Sequence, residues 1–116
     1  MKFKEQHSFE ERCEESKRVR DKYPDRYPII CEKTDTAQMN EVDKKKYLVP
    51  GDLSVAQFMH VIRGRLKLDP THAFFIFFGN SISPANSTSL NEGYVKYKDD
   101  DGFLYVTYSE ENMFGR

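Results

Sequence analysis

Cysteine is nearly missing from this chain. Cys13 and Cys31 are the only two in 116 residues, too few and too far apart for a disulfide framework or a CxxC metal site. An excess of one charge is missing as well: 18 Lys and Arg face 19 Asp and Glu, which offers no general attraction to nucleic acid or to an anionic membrane. Long apolar runs are also lacking. Residues 73–78 form the longest, a strand's length and far below a bilayer span, and no apolar h-region follows Met1. These absences point to a reducing, cytoplasmic setting, and they imply that a permanent meeting with a membrane requires something attached to the chain.

Catalytic signatures are absent too. His7, His60 and His72 make no HExxH or other ligand spacing, no glycine-rich loop precedes a helix, and neither cysteine has a base partner recognisable in sequence. The expectation is a protein that is not an enzyme, binds no metal and carries no resident cofactor. No internal repeat or low-complexity segment interrupts the chain, and its length supports one domain with a single core.

What is present is a set of start and stop signals. Ser8 with Glu11 three residues later reads as a capping box that opens a charged helix through about Lys22, stopped by Pro24. Arg12, Glu15 and Val19 share one face of it, but its apolar stripe is weak, so the helix is expected to lie on the domain rather than inside it. Tyr27, Pro28, Ile29, Ile30 and Cys31 mark a strand over residues 26–33, with a proline suited to a strand start or an edge. Residues 44–50 form a second strand that ends at Pro50-Gly51, and the two can pair as a hairpin with a long loop.

Ser54 and Gln57 make another capping box. Val55, Phe58, Val61, Ile62 and Leu66 follow at helical spacing, the clearest amphipathic pattern in the chain. Residues 73–78 read as a buried strand turned by Gly79-Asn80, Ser89 with Glu92 caps a short helix through about Tyr97, and residues 99–102 form a turn before a last strand over residues 103–108. A hairpin, a helix across it and two further strands give an α+β fold in the order of a ubiquitin-like β-grasp. Residues 1–25 are then a helical extension, 26–109 the β-grasp core and 110–116 a tail. The tail carries Gly115, followed by Arg116. A glycine there has no side chain to collide with a narrow channel, so an extended tail can present its carbonyl inside another enzyme, although Gly-Arg also reads as an ordinary frayed terminus.

Here the residues become specific enough for a family. Residues 22–26 (Lys-Tyr-Pro-Asp-Arg), Pro28-Ile29-Ile30-Cys31-Glu32-Lys33, Asp43-Lys44-Lys45-Lys46-Tyr47-Leu48-Val49-Pro50, Gln57-Phe58, Ile62-Arg63, residues 101–105 and the closing Phe114-Gly115 resemble the autophagy ubiquitin-like modifiers. That is the family of GABA-receptor-associated protein and of the microtubule-associated light chain, and the resemblance covers essentially the whole chain. It implies that an autophagy cysteine protease cuts between Gly115 and Arg116. E1-like and E2-like enzymes then carry the Gly115 carboxylate to phosphatidylethanolamine, and the conjugate resides on autophagosomal and vacuole- or lysosome-related membranes.

The resemblance also implies recognition of cargo receptors through aromatic-x-x-aliphatic peptides that add to the strand at residues 44–50. By similarity the aromatic pocket is lined by Glu15, Val19, Pro28, Ile30, Lys46, Leu48 and Phe103, and the aliphatic pocket by Tyr47, Val49, Pro50, Leu53, Phe58 and Val61. Lys46 and Arg65 would pair with acidic residues flanking the motif. In solution the unconjugated chain is expected to be a monomer.

Plainer readings stand beside these. Val19, Leu48, Phe58 and Phe103 fit ordinary packing positions, and Lys44 to Lys46 are the kind of lysines that guard an edge strand from aggregation. Arg63, Arg65 and Lys67 suit a helix C-terminus for electrostatic reasons alone. A non-lipidated adaptor of the same fold, binding trafficking or cytoskeletal partners, is the functional alternative. His60 and Gly64 depart from the family pattern on the central helix, which bears on motif preference.

Overall fold

Two serines, Ser8 and Ser54, begin helices by the same exchange of hydrogen bonds. In each case the hydroxyl accepts from a backbone N–H three residues on, at 3.1 Å, while the side chain of that residue (Glu11, Gln57) accepts from the serine's own N–H at 2.8 Å. The structure is a computed structural model, and it describes residues 1–79 and 82–111. Its elements run α1 (Phe3–Gln6), α2 (Phe9–Lys22), β1 (Arg26–Lys33), β2 (Lys46–Pro50), α3 (Val55–Leu66), β3 (Phe75–Phe78), α4 (Leu90–Tyr97) and β4 (Leu104–Ser109). The expected helices are all present. β2 and β3 are each two residues shorter at the start than the sequence suggests, and β4 is shifted one residue later.

Helix α1 is an addition to the sequence reading. It is one turn long, so it carries no periodicity to find, and its single buried residue is Phe3.

The four strands form one mixed sheet in the order β2-β1-β4-β3. β1 and β2 are the expected antiparallel hairpin, with Pro28 opposite Leu48 and Ile30 opposite Lys46. β1 runs parallel to β4 from the Ile29–Leu104 pair onward, and β3 closes the other edge antiparallel to β4. This is the sheet of a ubiquitin-like β-grasp. β1 is therefore interior, and Pro28 does not mark an edge. Its missing N–H is tolerated because it faces away from β2: Cys31 N–H donates to Lys45 C=O on the β2 side, and alternation sends the even-numbered amides toward β4, whose pairing starts only after Pro28.

The main core lies between the sheet and α3. Val55, Phe58 and Ile62 from the helix meet Ile29, Cys31, Leu104, Val106 and Tyr108 from the strands, all completely buried. On the opposite face a smaller cluster joins Phe3 to Ile30 and Phe103. α2 packs on β1 yet buries only Ser16, as its weak apolar stripe leads one to expect. α4 approaches so closely that the ring of Phe78 lies against the backbone of Gly93, where an added Cβ would come within 2.5 Å of two ring carbons.

Candidate functional site

β2 is an edge strand. It pairs with β1 on one side only, so among the described strands its outer amides and carbonyls face no partner. Alternation along it supplies two different faces. Lys46 and Leu48 turn to the α2 side, exposed and half-buried respectively, and Lys46 Nζ forms an ion pair with Glu15 of α2. Tyr47 and Val49 turn to the α3 side, where the Tyr47 ring meets Phe58 edge-on with centroids 5.5 Å apart.

The α2 side brings together the residues assigned to an aromatic pocket. Ile30 stands opposite Lys46, Pro28 opposite Leu48, and Ile30 shares a cluster with Phe103, while Glu15 and half-buried Val19 come from the overlying helix. Ile30 and Phe103 are at most 1% exposed. They are the floor of this side, and Leu48, Val19, Glu15 and Lys46 are what a partner can reach.

The α3 side divides similarly. Phe58 and Val49 are buried in the main core, Leu53 packs against it half-buried and Val61 is exposed, while Pro50 is exposed at the end of β2, where alternation does not place it with Tyr47 and Val49. Tyr47 also lies here. Its hydroxyl is buried without a hydrogen-bond partner, and desolvation pushes the phenol up to about 12, so it stays neutral and able to donate.

Arg65 is already engaged. Its Nε and Nη2 donate to the two carboxylate oxygens of Asp43 at 2.9 and 3.2 Å, a bidentate pair that holds Asp43 below the ordinary carboxylate range, hydrogen bonding outweighing desolvation. An acidic peptide residue would have to compete with Asp43 for this guanidinium. His60 and Gly64 are exposed on α3, and a side chain at position 64 would meet open space. The side chains at these two positions therefore bear on surface chemistry and leave the packing alone.

Two features escaped the sequence reading. The first is a buried carboxylate behind the α2 side. Asp101 receives Arg12 Nη1 at 2.6 Å and the Tyr105 hydroxyl at 2.5 Å on Oδ2, and the Phe103 amide at 2.9 Å on Oδ1. Burial and the bond to Asp101 push the Tyr105 phenol up, so it remains a donor. The signal was the shared face of Arg12, Glu15 and Val19, which is the face α2 turns to the sheet. The second is Phe3, whose ring stands 5.3 Å from that of Phe103 in an edge-on arrangement. Its position in an isolated one-turn helix gave no sequence signal.

Among the described residues no group of three or more His, Cys, Asp or Glu is arranged to hold a metal ion, and no helix is long and apolar enough to cross a membrane. Gly115 and Arg116 lie outside the described residues.

Residues 11–115 match the family described as autophagy protein Atg8, ubiquitin like. The chain is 54% identical over 114 residues to the autophagy-related protein 8 of Mycosarcoma maydis, covering 98% of this chain and 96% of that one. It is 53% identical to the autophagy-related protein 8 of Coccidioides immitis, covering 98% and 97%. Against the autophagy-related protein 8 of Schizosaccharomyces pombe the identity is 54% over 113 residues, covering 97% and 93%.

Proposed function

This chain belongs to the Atg8 family of ubiquitin-like autophagy proteins, and from that premise we propose that it is a modifier with no catalysis of its own. An autophagy cysteine protease removes Arg116, E1-like and E2-like enzymes activate Gly115, and phosphatidylethanolamine receives it. The conjugate then recruits cargo receptors to autophagosomal membranes. Phosphatidylethanolamine here is a covalent attachment rather than a cofactor, and two acyl chains at about 0.8 kcal/mol per buried methylene are enough for stable anchoring.

The observation that carries the receptor half of this reading is the unpaired edge of β2 with a different face on each side. An extended peptide adding to that edge has residues i and i+3 pointing to opposite faces, because side chains alternate. An aromatic-x-x-aliphatic motif therefore sends its two anchors to opposite sides of the strand. One meets Leu48, Val19 and the Ile30–Phe103 floor, and the other meets Leu53, Val61 and the Tyr47–Phe58 wall. Main-chain hydrogen bonds supply affinity without reading sequence, and the two faces supply selectivity. Lys44, Lys45 and Lys46 keep the same edge from pairing with a second copy.

The processing half is tested by intact mass. Incubated with the family protease, the chain should lose the mass of one arginine, and Gly115→Ala should block both the cut and the lipid adduct. A chain that keeps its arginine under those conditions is the non-lipidated adaptor instead. Docking is tested separately: Leu48→Asp should weaken a Trp-x-x-Leu peptide at least about tenfold, the scale expected when a central apolar anchor is replaced by a charge. Undiminished affinity would remove β2 as the site.

A further inference from the structure

From the contacts of α1 we infer that Phe3 is a positioning residue for the aromatic side of the docking edge, the inner wall that sets how large an aromatic anchor the site accepts. The inference rests on the peptide-docking reading above and concerns its selectivity.

Ile30 and Phe103, the floor of the α2 side, are not part of the main core. They belong to a separate cluster on the outer face of the sheet, and among the described residues Phe3 is its other buried member. The Phe3 ring meets Phe103 edge-on at 5.3 Å and is covered from behind by His7, centroid to centroid 4.6 Å. The half-buried Tyr105 ring packs on the same cluster, 6.4 Å from Phe103 and 6.5 Å from Phe3, and Phe3 is the nearer of the two rings to Phe103. Any displacement of the Phe3 ring is passed directly to the surface an aromatic anchor touches.

α1 is held by polar clasps rather than by a broad apolar face. Phe3 N–H donates to Glu32 Oε2 at 2.7 Å, Lys2 Nζ to Lys33 C=O at 2.5 Å, and Lys4 Nζ pairs with Asp99 at 2.6 Å. Lys45 ties the arrangement to the docking edge. Its ammonium reaches Met1 C=O at 2.5 Å and Glu32 at 3.3 Å, and its own carbonyl accepts from Cys31 one residue before β2 begins. On the far side of α1 a cavity of about 400 Å³ runs between Lys2, Glu32 and Tyr105, so the helix is not seated by packing there. Phe3 is thus the one apolar link between α1 and the floor of the site.

A shortened side chain at position 3 leaves space behind Ile30 and Phe103 into which they can retreat, which deepens the aromatic side and leaves the α3 side untouched. The test measures affinities of the full chain for two peptides that differ only at the aromatic position, Trp-x-x-Leu and Phe-x-x-Leu, and for a third, Trp-x-x-Val, that differs at the aliphatic one. Phe3→Ala should shift the Trp-to-Phe preference toward Trp by roughly fivefold or more, within the range that one or two methylenes command in an apolar pocket. The Leu-to-Val preference should stay constant. Phe3→Leu keeps most of the volume and the fold and should give an intermediate shift, so a poorly folded alanine variant does not decide the matter. Equal change in all three affinities, or none, in the folded variants overturns the inference while leaving the docking site standing. Failure of the unaltered chain to bind any of the peptides overturns the docking reading, and this inference with it.

Discussion

Asp101 is the residue on which the α2 side of the molecule turns. Its side chain is fully buried and that of Arg12 is 11% exposed, so the pair has left water on both sides. Removing one partner from such a pair strands the other charge, at a cost of about 3–5 kcal/mol. Arg12→Ala should fall at the lower end, because the Tyr105 hydroxyl and Phe103 amide still serve the carboxylate. Adding Asp101→Asn in the same chain should restore part of the loss by taking away the stranded charge. Urea denaturation of the two variants checks this, and a double variant no more stable than Arg12→Ala alone would mean that the charge is not what destabilises.

A second carboxylate at this corner gives the pH dependence. Burial raises the Asp99 pKa, but the hydrogen bond from Lys4 and that from the Asp101 amide outweigh it and hold the folded value below the ordinary range. A carboxyl depressed in the folded state stabilises fully above its unfolded pKa of about 3.9 and loses that contribution as the pH falls through its folded value. The melting temperature should therefore drop less between roughly pH 5 and pH 2 in Asp99→Asn than in the unaltered chain. Parallel curves would show that Asp99 takes no part in acid unfolding.

Among the elements, what the sequence made legible followed from how far each signal extends along the chain. The three serine caps work over three residues and the amphipathic pattern of α3 over twelve, and both are readable before any tertiary contact exists. β2 was legible as a strand, and alternation correctly divided Lys46 and Leu48 from Tyr47 and Val49. The unread parts are those decided by distant partners. Pro28 sits inside the sheet because β4, far along the chain, starts pairing one residue after it. Arg65 reads as a free charge until the fold brings Asp43 beside it. Phe3 has no local pattern at all, only a place against Ile30 and Phe103.

α4 shows two opposing effects that magnitudes can rank. Gly93 weakens a helix by about 1 kcal/mol relative to alanine, so Gly93→Ala gains on propensity. Against this, a Cβ would press within 2.5 Å of the Phe78 ring, which is 2% exposed. Overpacking of that kind costs about 1–3 kcal/mol, so the variant should be less stable than the parent by up to about 2 kcal/mol in urea denaturation. Gly93→Ala with Phe78→Leu should reverse part of the loss, because a smaller side chain makes room for the methyl group. A single variant more stable than the parent would show that α4 can shift away from β3.

At the scale of the whole molecule, charge and hydrophobicity make separable predictions for membrane attachment. The 18 basic and 19 acidic residues nearly cancel, which offers no general attraction to an anionic surface, and no described helix is long and apolar enough to cross a bilayer. Residual attraction through a basic patch such as Lys44 to Lys46 would amount to about 1 kcal/mol per charge and vanish at about 1 M salt, where the screening length is near 3 Å. Two buried acyl chains are indifferent to salt. In flotation with anionic vesicles, Gly115→Ala carried through the conjugation reaction should therefore stay at the bottom of the gradient even at low ionic strength. The reacted parent chain should float, and about 1 M sodium chloride should not strip it. If Gly115→Ala floats at low salt and is released at high salt, the domain binds membranes by its own charge distribution, and conjugation at Gly115 is not what places it there.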